Sequence, residues 1–134
     1  MNVVFADTFY FIALLSEGDQ AHERAAAATR AYSGRVVTTT AVLTEVADGL
    51  TAARGRGDFS RFLDRIGSRP DVTIVACDRE LFEEGAVLFR RRIDKQWSLT
   101  DCMSFVVMQR EGLINALTAD HHFEQAGFVA LLKS

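Results

Sequence analysis

Residues 3–15 read VVFADTFYFIALL. Val3 to Ala6 is an apolar run of strand length. Asp7 ends it, and Thr8 to Leu15 reads as helix. The same alternation continues down the chain. Ser16 to Asp19 breaks the first helix. Gln20 to Tyr32 is Ala-rich and helical, with Gly34 as a C-terminal stop. Val36 to Thr39 is a second strand, and Thr40 to Arg54 a helix. Gly55 and Gly57 read as a hinge, after which Phe59 to Ile66 resumes helix with Phe62, Leu63 and Ile66 on one face. Arg69 to Asp71 turns into a third strand, Val72 to Cys77. Asp78 reads as the N-cap of a helix from Arg79 to Ile93. Thr100 to Glu111 is a further helix, stopped by Gly112. Leu113 to Thr118 and Phe128 to Leu132 complete five strands. Strands alternating with helices predict an α/β fold, with a parallel sheet flanked by helices on both faces. The unbroken apolar strand runs predict burial on both faces.

The 134 residues fit one domain, residues 1–134. Apolar residues make up 49% and charged residues 25%, an ordinary globular balance that supplies a core without disulfide or metal staples. One Pro and nine Gly exclude collagen-like and Pro-rich chains. Phe9 to Leu15 is far too short to cross a membrane. No secretion signal opens the chain, and Cys77 and Cys102 form no metal or disulfide pattern, so a cytoplasmic compartment is expected. Net charge is −3, which does not mark a nucleic-acid binder. Charge is uneven, however. Arg54, Arg56, Arg61, Arg65 and Arg69 cluster, as do Arg90, Arg91, Arg92 and Lys95, and local patches steer polyanions.

In parallel α/β sheets, ligands bind beyond the carboxyl ends of the strands. Asp7 follows the first strand and Asp120 the fourth. Glu45 lies one turn into the helix that starts at Thr38 to Thr40, at the same edge. Asp101 joins them if its helix starts near that edge and runs away from it. Each acid also has an ordinary reading. Asp7 and Asp120 can cap the helix or turn that follows, and Ser98 to Asp101 matches a capping box. Glu45 can be a solvated helix residue. Together they are less ordinary, because each is embedded in core-forming sequence. Acids so placed need partners, converging carboxylates do not all ionise without a counter-charge, and no Arg or Lys adjoins them. A hard divalent cation, Mg²⁺ or Mn²⁺, answers that need. No Cys/His set for zinc is present.

The segments ADT (6–8), FIALL (11–15), HERA (22–25), VLTEV (42–46), DKQWSLTDCMSF (94–105) and LTADHHFEQAGF (117–128) resemble one family along nearly the whole chain. It is the PIN-domain ribonucleases, and within them the VapC toxins of bacterial and archaeal toxin–antitoxin pairs. The resemblance implies a three-layer α/β/α fold with strand order 3-2-1-4-5, which sets Asp7 beside Asp120. It carries the family's acidic quartet onto Asp7, Glu45, Asp101 and Asp120 as catalytic and metal-holding residues, with Asp7 and Asp101 the first choices as direct ligands. It implies Mg²⁺- or Mn²⁺-dependent cleavage of RNA, a homodimer, and inhibition by a cognate antitoxin. Phe9 departs from the small polar residue many relatives have there. Thr100 is read as a hydroxyl supporting Asp101, or as a helix N-cap. His121 and His122 read as surface or packing residues, and His22 as a helix-face residue.

Three other classes share part of this pattern. A receiver-like or phosphatase-like domain would use Asp7 as phosphoacceptor, but such sites pair acids near the first strand with a later Lys, and neither is present. A non-catalytic RNA- or protein-binding module of the same fold sits poorly with four retained acids. A free-standing PIN nuclease of RNA processing differs from a toxin only in lacking an antitoxin encoded next to it.

Overall fold

The computed structural model describes residues 2–133. Its strands are β1 (Val3–Ala6), β2 (Arg35–Thr39), β3 (Val72–Val75), β4 (Asn115–Leu117) and β5 (Val129–Ala130). Its helices are α1 (Thr8–Leu15), α2 (His22–Ala31), α3 (Thr40–Asp48), α4 (Ala53–Gly67), α5 (Arg79–Arg91), α6 (Leu99–Glu111) and α7 (His121–Gln125). All strand pairings are parallel and the order is β3-β2-β1-β4-β5. From β1 the chain steps outward to β2 and β3, then returns to the other side of β1 for β4. That reversal makes the β1/β4 boundary the topological switch point, where such sheets open a crevice at their carboxyl ends. Phe5 pairs with Ala116 and Ala6 with Leu117, so β1 and β4 reach that edge in step. The Asp7 amide extends the pairing by donating to the Leu117 carbonyl at 3.3 Å.

An aromatic column fixes the elements around this point. The Phe5 and Phe123 rings are 6.2 Å apart, Phe123 and Phe105 5.0 Å, and Phe105 and Trp97 5.0 Å. The last two pairs meet edge-on, the favoured geometry for buried rings. The column binds β1, α6 and α7 into one unit. The Trp97 indole N–H donates to Gln125 Oε1 at 3.0 Å, so the polar end of that ring is satisfied. On the other side Val42 and Val46 are fully buried and seat α3 against the sheet. The Thr38 hydroxyl donates to the Ala6 carbonyl at 2.9 Å and ties β2 to β1.

Four expectations change. The helix predicted from Thr40 to Arg54 ends at Asp48, and α4 runs straight through Gly55 and Gly57. Gly55 is no hinge: a Cβ there would lie 2.8 Å from the Leu50 carbonyl oxygen, so glycine permits close contact with the preceding turn. The strands are also not all buried on both faces. The outer strands β3 and β5 are half-open, with Thr73 and Val129 exposed, as edge strands must be. The fifth strand keeps only two of the five predicted residues. Gly112 does stop α6, at φ 68°, in the left-handed region that glycine enters freely. Asp78 caps α5 by accepting the Leu81 amide at 2.9 Å.

Candidate active site

Asp7, the first residue past β1, is 3% exposed. It occupies the N-cap position of α1, yet its side chain makes no capping bond. Instead its Oδ2 accepts the hydroxyl of the fully buried Thr118 at 3.0 Å. Burial pushes its pKa from 3.8 up to about 7. The charges of Asp101 and Asp120 push the same way, against the Thr8 amide and the Thr118 hydroxyl.

Asp101 is 8% exposed in the first turn of α6. The capping box forms: the Asp101 amide donates to Ser98 Oγ at 2.9 Å, and the Ser98 amide to Asp101 Oδ2 at 3.1 Å. Ser98, not Thr100, is the N-cap. Thr100 makes no side-chain hydrogen bond to an acid among the described residues. Burial raises the Asp101 pKa, as do the Asp120 and Glu45 charges, against the Ser98 amide and His122. Asp120 caps α7, its Oδ1 accepting the His122 amide at 2.9 Å. Glu45 is half-buried, and its Oε1 accepts the Thr8 hydroxyl at 2.6 Å.

The four acids therefore gather at the switch point: Asp7 senses Asp101 and Asp120, and Asp101 senses Asp120 and Glu45. Among the described residues two imidazoles stand against these acids: the exposed His121, its Nδ1 3.7 Å from Asp120 Oδ1, and the inward-turned His122. The His122 Nδ1 lies 3.2 Å from Asp101 Oδ2 and 3.3 Å from Asp120 Oδ1. The sequence reading placed His122 on the surface or in packing. The fold turns it inward because the first turn of α7 aims residue 122 back over its own cap. Thr118 and Thr8 were also missed as partners of acids. One signal for Thr118 was available: residues 118 and 120 alternate along extended chain and so share a side. His121, by contrast, is exposed as expected.

No three of the acids bring oxygens within 4.8 Å of one another; among the described residues only Asp120, His121 and His122 form so tight a group of ligand atoms. The carboxylates thus surround a space rather than close on a point. A separate groove lies between α1, α2 and α4, lined by Tyr10, Phe11, Phe62 and Ile66.

Residues 4–129 match the sequence model of the PIN domain. The chain belongs to the PIN-domain family. This PIN domain is 30% identical over 128 residues to the 23S rRNA-specific endonuclease VapC20 of Mycobacterium tuberculosis, covering 95% of this chain and 96% of that one. The crystal structure of VapC20, described as a Sarcin-Ricin loop cleaving toxin, superposes with a TM-score of 0.85 at 27% identity, over 96% of this chain and 97% of that chain. A toxin–antitoxin complex from Klebsiella pneumoniae shares the fold at a TM-score of 0.69 and 16% identity, over 98% of this PIN domain and 99% of that chain. FitAcB from Neisseria gonorrhoeae does so at 0.67 and 16%, over 95% and 94%.

Proposed function

We propose that this PIN domain is a divalent-metal-dependent endoribonuclease, the toxin of a toxin–antitoxin pair. The observation that carries the reading is the convergence of Asp7, Glu45, Asp101 and Asp120 at the β1/β4 switch point. Four carboxylates line a site where burial disfavours charge, with only the imidazoles of His121 and His122 beside them among the described residues. Their donor atoms are hard oxygens that suit Mg²⁺ or Mn²⁺, and their spread leaves room for the waters these ions retain. The toxin assignment draws on the 30% identical relative named as a 23S rRNA-specific endonuclease. Ribosomal RNA is accordingly the first substrate to test. An antitoxin partner and a homodimer belong to the same reading. Among the described residues no helix is long and apolar enough to cross a membrane.

Asp7 and Asp101 are the direct ligands in this reading. Glu45 and Asp120 ligate, act through water, or orient the attacking water. A bound divalent ion supplies a more acidic water and neutralises charge on the phosphodiester. The chain's own part is positioning. Asp7 is held by Thr118, Asp101 by the start of α6, Glu45 by Thr8 and Asp120 by the start of α7. Burial on β1 and α6 keeps competing solvent from Asp7 and Asp101.

Alanine at each of Asp7, Glu45, Asp101 and Asp120 is expected to lower the RNA cleavage rate by roughly 10³-fold or more, with far-UV circular dichroism unchanged. A folded Asp7→Ala or Asp101→Ala protein that cleaves at the wild-type rate would refute the site.

A further inference from the structure

The hydrogen bonds around the four acids follow a pattern. Each carboxylate has one oxygen held by a protein donor, and in Asp101 and Asp120 no hydrogen bond falls on the other among the described residues. Asp7 is held at Oδ2 by Thr118, and Glu45 at Oε1 by Thr8. Asp101 is held at Oδ2 by the Ser98 amide, and Asp120 at Oδ1 by the His122 amide. His122 acts on the last two together. Its ring reaches the same Asp101 Oδ2 and the same Asp120 Oδ1 that the backbone already holds.

Resting on the proposed metal-dependent nuclease, we propose that His122 is a positioning residue that links Asp101 to Asp120 through Nδ1, leaving Asp101 Oδ1 and Asp120 Oδ2 as the oxygens presented to the cation. Nδ1 meets two carboxylate oxygens, which accept and do not donate, so the proton resides on Nδ1. The Nδ1–H bonds Asp101 Oδ2 at 3.2 Å and stands 3.3 Å from Asp120 Oδ1, so the one ring ties together two acids that the separate caps of α6 and α7 do not. With His122 only 20% exposed, the link sits largely out of water, where such bonds are stronger. His122 touches neither the ion nor the phosphodiester in this arrangement. It sets where the two ligand oxygens stand.

The test is Mn²⁺ binding without RNA, by titration followed with electron paramagnetic resonance, on the full chain. Wild type, His122→Asn, His122→Leu and Asp101→Asn are compared, each with a melting curve in EDTA. His122→Asn retains an N–H donor near the position of Nδ1, and His122→Leu retains the bulk alone. The expected result is a Kd for Mn²⁺ weakened by roughly 10–100-fold in His122→Leu, as for other outer partners of metal ligands. His122→Asn should recover most of that loss, at similar melting temperatures. A folded His122→Leu protein binding Mn²⁺ like wild type would overturn the proposal. So would His122→Asn binding as weakly as His122→Leu while both melt like wild type. Wild type that binds Mn²⁺ no better than Asp101→Asn would instead overturn the metal-site reading on which the proposal rests.

Discussion

Asp7 is the most constrained residue of the site. It is nearly sealed from water, and two other acids raise its pKa further. Without metal this is a cost to the fold. Unfolded, an Asp loses its proton near pH 4. In the native chain Asp7 keeps it to about pH 7. Between those values the native state binds more protons than the unfolded one, so stability falls as pH rises. Asp101 shifts in the same direction. At about 1.4 kcal/mol per unit, the Asp7 contribution is on the order of 4 kcal/mol if the shift is fully expressed. In EDTA, wild type should therefore lose more unfolding free energy between pH 5 and pH 8 than Asp7→Asn. Equal losses in urea melts of the two proteins would contradict this origin of the strain.

At the scale of elements, α6 gives the site its precision. The Ser98–Asp101 capping box starts the helix and aims an acid in one stroke, since Asp101 donates its amide to the cap and returns its own oxygen to Ser98. Ser98→Ala removes one half of that exchange and should cost about 1 kcal/mol in a urea melt. No loss would mean that the aromatic column alone holds the helix start. Gly85 shows how closely α5 and α6 pack: a Cβ there would fall 2.5 Å from Met103 Cγ and 3.4 Å from the Met103 Cα. Gly85→Val should destabilise by about 1–3 kcal/mol, because the crowding reaches backbone that cannot yield. A melt unchanged from wild type would show that α5 can shift freely. The capping box was legible in the sequence because it is a local pattern. The break between α3 and α4 was not. It turns on a contact between Gly55 and Leu50 that no periodicity records.

The molecule as a whole explains why acids from four distant segments meet. Parallel order places every β-to-α junction at one edge, and the reversal at β1 brings the junctions after β1 and β4 side by side. Asp7 and Asp120 could be placed there from strand and helix pattern alone, since Asp7 directly follows β1 and Asp120 lies in the short turn between β4 and α7. The 3-2-1-4-5 order itself came from the family resemblance. His122 escaped the sequence reading because its role depends on Asp101, a partner 21 residues away on another helix. Helical pattern places neighbours within one helix, while the contact between α6 and α7 is set by packing of Phe105 against Phe123. Thr8 and Glu45 meet across 37 residues for the same kind of reason.

The central claim is that converging carboxylates make a metal-dependent RNA-cleaving site. Its most direct test is incubation of purified, antitoxin-free protein with total RNA rich in 23S rRNA. The reactions contain Mg²⁺, Mn²⁺ or EDTA, with Asp7→Asn run beside wild type. Discrete fragments should form with Mg²⁺ or Mn²⁺, and disappear both in EDTA and with Asp7→Asn. Equal cleavage in EDTA, or by the Asp7→Asn protein, would contradict the claim.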